Sequence, residues 1–338
     1  MIGRKNKIRE GIAERRRESV GVFMLSLPIA IFLVAGRMMT VGREDGFSFA
    51  ELLAAFVLAS VILPIAACAA RKVIISGGEE RKIGAFERTY RLLLGAAVSV
   101  LAFYVAYLGT IELMDFATEV MLLKAPRRAV GIIFLANCAY LAHCGSLTVR
   151  KISFVVSAFV LSGALLLFAL SIPMIDGGEL AGLVRSDHNV EPIGILTAFL
   201  SVFTPALVPV IYISAALDRR IRSSRPLAVS WGLIIGCGIL ALCFLNSILI
   251  LGSSMGELYG YPYVAAVSTV TAGKLFARMD GLLYMMYFGA ASLRTAICIS
   301  LICLVLGRIK RAEDAKKRSM RLLPYLIGAL LALSVIVS

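Results

Sequence analysis

The sequence predicts an all-α polytopic membrane protein with its N-terminus in the cytoplasm, and three observations carry that expectation. Hydrophobic residues fill 59% of 338 positions and charged residues only 17%, against about 25% charge in an ordinary soluble domain; mean hydropathy is +0.89. The apolar residues come in blocks of roughly twenty, the length that crosses a hydrocarbon core at about 1.5 Å per residue. The basic residues, finally, gather in alternate loops, the pattern that the positive-inside rule produces.

Taken in order, residues 1–19 form a basic cytoplasmic tail and residues 20–338 a single transmembrane domain. The first apolar run, Val20 to Gly36, follows a long polar stretch and lacks a small-x-small cleavage site, so it reads as the first membrane helix and not as a removable signal. Nine spans are expected, at about 20–39, 49–70, 92–113, 129–148, 152–174, 193–217, 226–252, 281–307 and 322–337. Between the seventh and eighth, Tyr261 to Arg278 is too short and interrupted to cross, and a re-entrant or surface helix on the outer side fits it. Placing the N-terminus inside puts 26 Lys and Arg residues in inner segments and eight in outer ones, with Arg294 left inside a helix. That asymmetry also accounts for the net charge of +14, so nucleic acid is not an implied partner and the lipid bilayer is.

The cysteines Cys68, Cys138, Cys144, Cys237, Cys243, Cys298 and Cys303 all fall in apolar segments, and none forms CxxC. They read as small buried hydrophobes, not as a disulfide framework or zinc site, and no metal or other cofactor is expected. There is no HExxH, no pair of catalytic carboxylates within a span and no nucleophile motif, which sets a membrane enzyme aside.

Proline interrupts several spans: Pro28 the first, Pro64 the second, Pro205 and Pro209 the sixth. It removes a backbone donor and clashes one turn back. Paired interruptions in the first and sixth spans are what a midplane transporter-type site needs, although kinked helices are common in membranes in their own right. Unwinding would free N–H groups able to hold a carboxylate, which makes Gly21, Leu25, Ser26 and Pro28 in the first span, and Thr204 and Pro205 in the sixth, candidate ligand-binding residues. Tyr104 in the third span would line the same cavity with Tyr107, though packing is the commoner employment of such rings.

Arg294 is the strongest individual signal. A basic side chain at the middle of a span costs about 2.5–3.5 kcal/mol on insertion scales, and such residues are functional by default. Tyr287, Ala291, Arg294 and Cys298 share one helical face, small or polar and so turned toward the bundle. Arg294 is expected either to meet a substrate carboxylate or replace a coupling cation, or to bond backbone carbonyls or Asn246 as a structural post. Glu112, Asp115 and Glu119 read as solvated acids at the outer end of the third span, the acidic loop from Asp176 to Glu191 as solvated, and His143 as a satisfied core residue. Gly232-Leu-Ile-Ile-Gly236 is a GxxxG pattern for close helix packing.

Three stretches carry a resemblance. They are Gly21-Val-Phe-Met-Leu-Ser-Leu-Pro28; Ala125-Pro126 through Gly145-Ser-Leu-Thr-Val-Arg150; and Tyr261-Pro262 followed by Lys274-Leu-Phe-Ala-Arg278-Met-Asp280 and Arg294. In this order they resemble the B-subunit family of nutrient germinant receptors (the GerAB type) in the amino acid–polyamine–organocation superfamily. Ala125 stands where that family usually has threonine, and Met279 where it usually has leucine. The resemblance implies a permease-like five-plus-five inverted repeat, here lacking the tenth helix, in a spore inner membrane beside A and C subunits. It implies detection of a small nutrient such as an amino acid as the trigger for germination. A secondary amino-acid transporter of the same superfamily, or a folded paralogue that binds nothing, remains the alternative reading.

Overall fold

In hydrocarbon every backbone N–H and C=O must be satisfied within the protein, so a chain of this composition has helices or a closed barrel open to it. The computed structural model describes residues 26–39, 51, 54–65, 85–122, 124–174, 192–216, 225–252, 259–269, 279–310 and 319–337. Among these residues it is helical throughout, with turns and no strand. Five helices are long and apolar enough to cross a membrane by length and composition: Leu92–Met121, Ser146–Met174, Pro192–Ile213, Ala228–Leu251 and Asp280–Gly307. Each of the nine expected spans contains helix in its described part, though the fourth, at 129–148, runs across the turn at Cys144 and Gly145 into the next helix.

The elements follow in chain order. α1 covers Ser26–Arg37 and α2 Ala54–Ile65. α3 is Ala85–Phe116, extended by one π-helical turn over Ala117–Met121. α4 is Arg127–His143 and α5 Ser146–Ser171. The sixth span is built in pieces, α6 over Pro192–Ala198, a π-turn over Phe199–Phe203, a 3₁₀ turn over Thr204–Ala206, and α7 over Leu207–Ala216. α8 is Arg225–Leu251, α9 Pro262–Thr269, α10 Asp280–Lys310 and α11 Ser319–Val337.

The motif residues mark where these helices begin and end. Pro126 immediately precedes α4, where a residue without an N–H costs the helix nothing. Gly145, at φ 92°, makes the turn between α4 and α5, a conformation that an L side chain adopts only with strain. Gly252, at φ 80°, ends α8, its N–H donating to the carbonyl of Ile248 at 2.8 Å, an αL stop. Asp280 opens α10, and its carboxylate accepts the N–H of Gly281 at 3.1 Å and the hydroxyl of Tyr284 at 3.4 Å. A negative charge is favoured at a helix N-terminus.

α10 is the axle of the bundle, packed against α3, α4, α5, α7, α9 and α11. Of its most apolar stretch 78% is buried, against 28% for the corresponding part of α3. The expected face of Tyr287, Ala291, Arg294 and Cys298 is buried as one strip. Outward, Val57, Leu93, Val100, Ile133, Val155 and Met285 stand exposed. Large apolar side chains spread over the outer faces of long apolar helices are what a lipid solvent requires and water penalises.

The GxxxG pattern in α8 does what its spacing implies. A Cβ at Gly232 would lie 2.6 Å from the carbonyl oxygen of Ser26 and 2.8 Å from Cβ of Ile29; one at Gly236 would lie 3.1 Å from Cα of Ala30. The two glycines are the groove into which α1 lies. In the segment expected to be a re-entrant or surface helix, α9 is only eight residues long, with Pro262, Tyr263, Val264, Ala266 and Val267 buried against α8 and α10. It is thus a short helix sunk into the bundle; residues 270–278 lie outside the described residues.

Two expectations about burial need correcting. Cys138, Cys243 and Cys298 are buried and Cys237 and Cys303 half-buried, but Cys144 is exposed, because it lies just past the end of α4, at the turn. Cys68 is outside the described residues. His143 is likewise exposed and not a core residue: it sits in the last turn of α4, its ring 5.1 Å from that of Tyr325 in α11.

Candidate functional site

Where the sixth span breaks, its backbone chemistry changes. Pro205 has no N–H to offer the carbonyl of Ser201, and Pro209 none for that of Pro205. The chain compensates by widening and then tightening: the Thr204 hydroxyl donates to the carbonyl of Phe199 at 3.5 Å, and the N–H of Leu207 turns back to the carbonyls of Thr204 and Pro205. The irregular segment borders a cavity. Leu200, Ser201, Thr204 and Pro205 line one wall of a cavity of about 260 Å³, the setting in which non-helical backbone is tolerated at membrane depth.

The other walls come from three helices. α1 contributes Phe32, Leu33, Gly36 and Arg37; α3 contributes Leu101, Tyr104, Val105, Leu108 and Glu112; α10 contributes Arg294. Four expected ligand-binding residues, Tyr104, Thr204, Pro205 and Arg294, therefore meet at one cavity. Tyr104 is more than half exposed and stands toward its open side, while Tyr107 packs on the core instead.

The first span contributes differently from expectation. Its described part is an unbroken helix from Ser26 to Arg37; the carbonyl that Pro28 would leave without a donor, that of Met24, lies outside the described residues. Ser26 and Pro28 are both buried but away from the cavity. The carbonyl of Ser26 lies against Gly232. The cavity is met one to three turns further on, at Phe32 to Arg37. Gly21 and Leu25 lie outside the described residues.

Arg294 is held by packing that small residues make possible. A Cβ at Gly36 would come 3.3 Å from its Nη1, and one at Gly109 would come 3.5 Å from its Cζ. Two glycines, from α1 and α3, flank the guanidinium. The Phe32 ring lies with its centroid 5.5 Å from Cζ, within cation–π range. Arg294 Nη1 donates to Oε2 of Glu112 at 3.3 Å, longer than the roughly 2.7–2.9 Å of a tight charge-assisted bond. The Arg294 side chain is 7% exposed and that of Glu112 40%. Among the described residues Arg294 Nε has no hydrogen-bond partner.

This geometry corrects two expectations. The partner of Arg294 is Glu112 and not Asn246, whose amide nitrogen and oxygen are both buried without partners among the described residues. Nor does Glu112 end the helix: α3 continues past it to Phe116 and on through the π-turn, and Glu112, two-fifths exposed, lines the cavity. Its neighbour Asp115, one turn on, pairs with Arg127 at 2.6 Å and ties α3 to the start of α4.

Just past the pair lies an aromatic cluster that the sequence does not announce. Phe116 of α3 sits edge-on to Tyr261, Tyr284 and Tyr287, with ring centroids 5.3, 5.6 and 5.0 Å away. Edge-to-face contacts of this kind add about 0.5–1.5 kcal/mol each beyond the area buried. They fasten the residue that precedes α9 to α3 and α10.

Glu51 is a second acid missed by sequence reasoning. It is 5% exposed and packs onto Gly194 of α6, where a Cβ would collide with its carboxylate. The signal was available, since an acid within an apolar block is costly unless engaged. Compared with known protein families and with curated proteins, the chain matches none of them.

Proposed function

We propose that this chain is the membrane subunit of a nutrient receptor of the spore-germination type, binding a small solute such as an amino acid in the cavity between α1, α3, the broken sixth span and α10. The observation that carries the reading is that cavity, about 260 Å³, with a buried arginine on its wall. Its volume suits a small solute such as a free amino acid. An arginine seated there is the donor that a carboxylate seeks. The three motif stretches support the receptor part of the reading and the five-plus-five permease architecture. On that reading the chain lies in a spore inner membrane, N-terminus in the cytoplasm, beside A and C subunits. The discontinuous sixth span favours a second reading, a secondary transporter of the same solute class, since irregular backbone at a cavity is also how alternating-access sites are built.

Binding is tested with the purified full chain in nanodiscs, by thermal stabilisation against a panel of free amino acids. A ligand at a hundred times its Kd stabilises by about 2.7 kcal/mol, so at least one amino acid is expected to raise the melting temperature of the wild type and not of Arg294→Ala. No stabilisation by any of them at millimolar concentration would remove the reading. Solute accumulation in proteoliposomes would favour transport over reception.

A further inference from the structure

Arg294 and Glu112 are both cavity-wall residues, and they differ in how firmly each is held. The guanidinium is nine-tenths buried, clamped between Gly36 and Gly109 and covered by Phe32. Glu112 is two-fifths exposed and touches it through a single 3.3 Å contact. Arg294 keeps donor capacity that this contact does not use, its Nε having no partner among the described residues. The pair is thus a buried, closely packed cation and a more exposed anion lining the same space. Arg37 lines the cavity as well and has a partner of its own.

We propose that Glu112 is the specificity-determining residue of this cavity and that the site selects zwitterions, Arg294 taking the ligand's carboxylate and Glu112 its ammonium. The inference rests on the cavity reading above and adds the charge class of the ligand. Each protein group exchanges the other for the opposite end of the ligand, and no charge is left alone. A carboxylate without an amine that takes Arg294 strands Glu112. An amine without a carboxylate that takes Glu112 strands Arg294, and an unpaired buried guanidinium is the costlier outcome. Discrimination therefore comes from what a wrong ligand leaves unpaired, and not from extra attraction to the right one. Tyr287 and the aromatic cluster around Phe116 pack at the same end of α3 and α10, beside the deeply buried guanidinium, the charge for which pairing matters most.

The test uses equilibrium binding to the purified full chain, first with L-leucine, L-valine, L-serine and glycine. The amino acid that binds best is then compared with its decarboxylated amine and its deaminated acid. Wild type is expected to prefer the amino acid over either analogue by at least roughly tenfold, the discrimination that one charged hydrogen bond provides. Glu112→Gln is expected to lose that preference over the deaminated acid, and to bind the acid more tightly than wild type does, because its arginine is then free for a carboxylate. A gain of this kind is not produced by misfolding. Should Glu112→Gln fail to fold, the analogue series on wild type and the milder Glu112→Asp decide the matter. Equal binding of amino acid and deaminated acid by wild type, or an unchanged preference in Glu112→Gln, would overturn the proposal and leave the cavity reading intact. Binding of none of the four amino acids, with binding of an amine or acid alone, would overturn it too; binding of nothing would remove both.

Discussion

Arg294 shows how far a single residue can be read from sequence. A basic residue in the middle of an apolar run was legible, because lipid makes that placement expensive, and it is indeed nine-tenths buried. Its partner was not legible. Apolarity fades after residue 113, so the helix was expected to stop there and Glu112 to be terminal; the chain in fact continues as helix to Phe116 and through a π-turn to Met121. Hydropathy marks where lipid ends and not where hydrogen bonding ends, and a polar turn on a buried helix escapes it. The guanidinium's packing decides what substitutions do. In Arg294→Ala the glycine-lined slot between Gly36 and Gly109 loses its occupant and the cavity its cation, so on the proposed receptor reading nutrient response is expected to vanish. Arg294→Lys keeps the charge but not the planar fork, and part of the response is expected to remain. Germination of spores at matched protein levels reads the difference. Normal response from the Ala variant would deny Arg294 any role in sensing.

Among the elements, the spans were legible as blocks, and their pairing only where sequence marks backbone approach. Gly232 and Gly236 are such a mark: α1 lies in their groove. Nothing comparable announces that α10 is the axle, since its surroundings are set by shape and not by composition. The broken sixth span was legible from Pro205 and Pro209, because a missing N–H cannot be hidden. The matching break in the first span was inferred from Pro28 and is not present between Ser26 and Arg37. Helix packing gives an expected contrast between two glycines of the same helix. A side chain at Gly232 meets the backbone oxygen of Ser26 and Cβ of Ile29, whereas at Gly238 nothing lies within 4 Å. Gly232→Val is therefore expected to force α1 and α8 apart, at the roughly 1–3 kcal/mol of an overpacked core or more. Gly238→Ala is expected to change stability by less than about 1 kcal/mol, the scale of its helix propensity. Melting temperatures in one detergent measure both, and equal tolerance at the two positions would contradict the packing of α1 on α8.

The whole molecule adds a constraint that neither residues nor helices supply alone, the relative direction of the spans. Nine crossings that start from a cytoplasmic N-terminus make the first and seventh spans parallel and the third and eighth antiparallel. The glycine contacts agree with this alternation. Along the α1–α8 seam, Ser26 and Ile29 meet Gly232 while Ala30 and Leu33 meet Gly236, so both chains advance the same way. Between α4 and α11, Gly131 lies near Val335 while Gly328 lies near Ala139, so these two run oppositely, as a fourth and a ninth span must. The directions fix which ends lie together but not which side is cytoplasmic; for that the 26-to-8 division of basic residues gives an expectation, the N-terminus inside. The expected outcome is a C-terminal reporter that is active outside the cytoplasm, with one inserted at 219–225 active inside. Were the C-terminal reporter cytoplasmic and the 219–225 reporter unchanged, the crossings between them would be even in number: either α11, whose apolar stretch Leu322–Ile336 is short, does not cross, or a further crossing falls after α9. In the latter case α9, now a short helix buried against α8 and α10, would be the first half of a tenth span, and the antiparallel relation of α3 to α10 would have to give way with it.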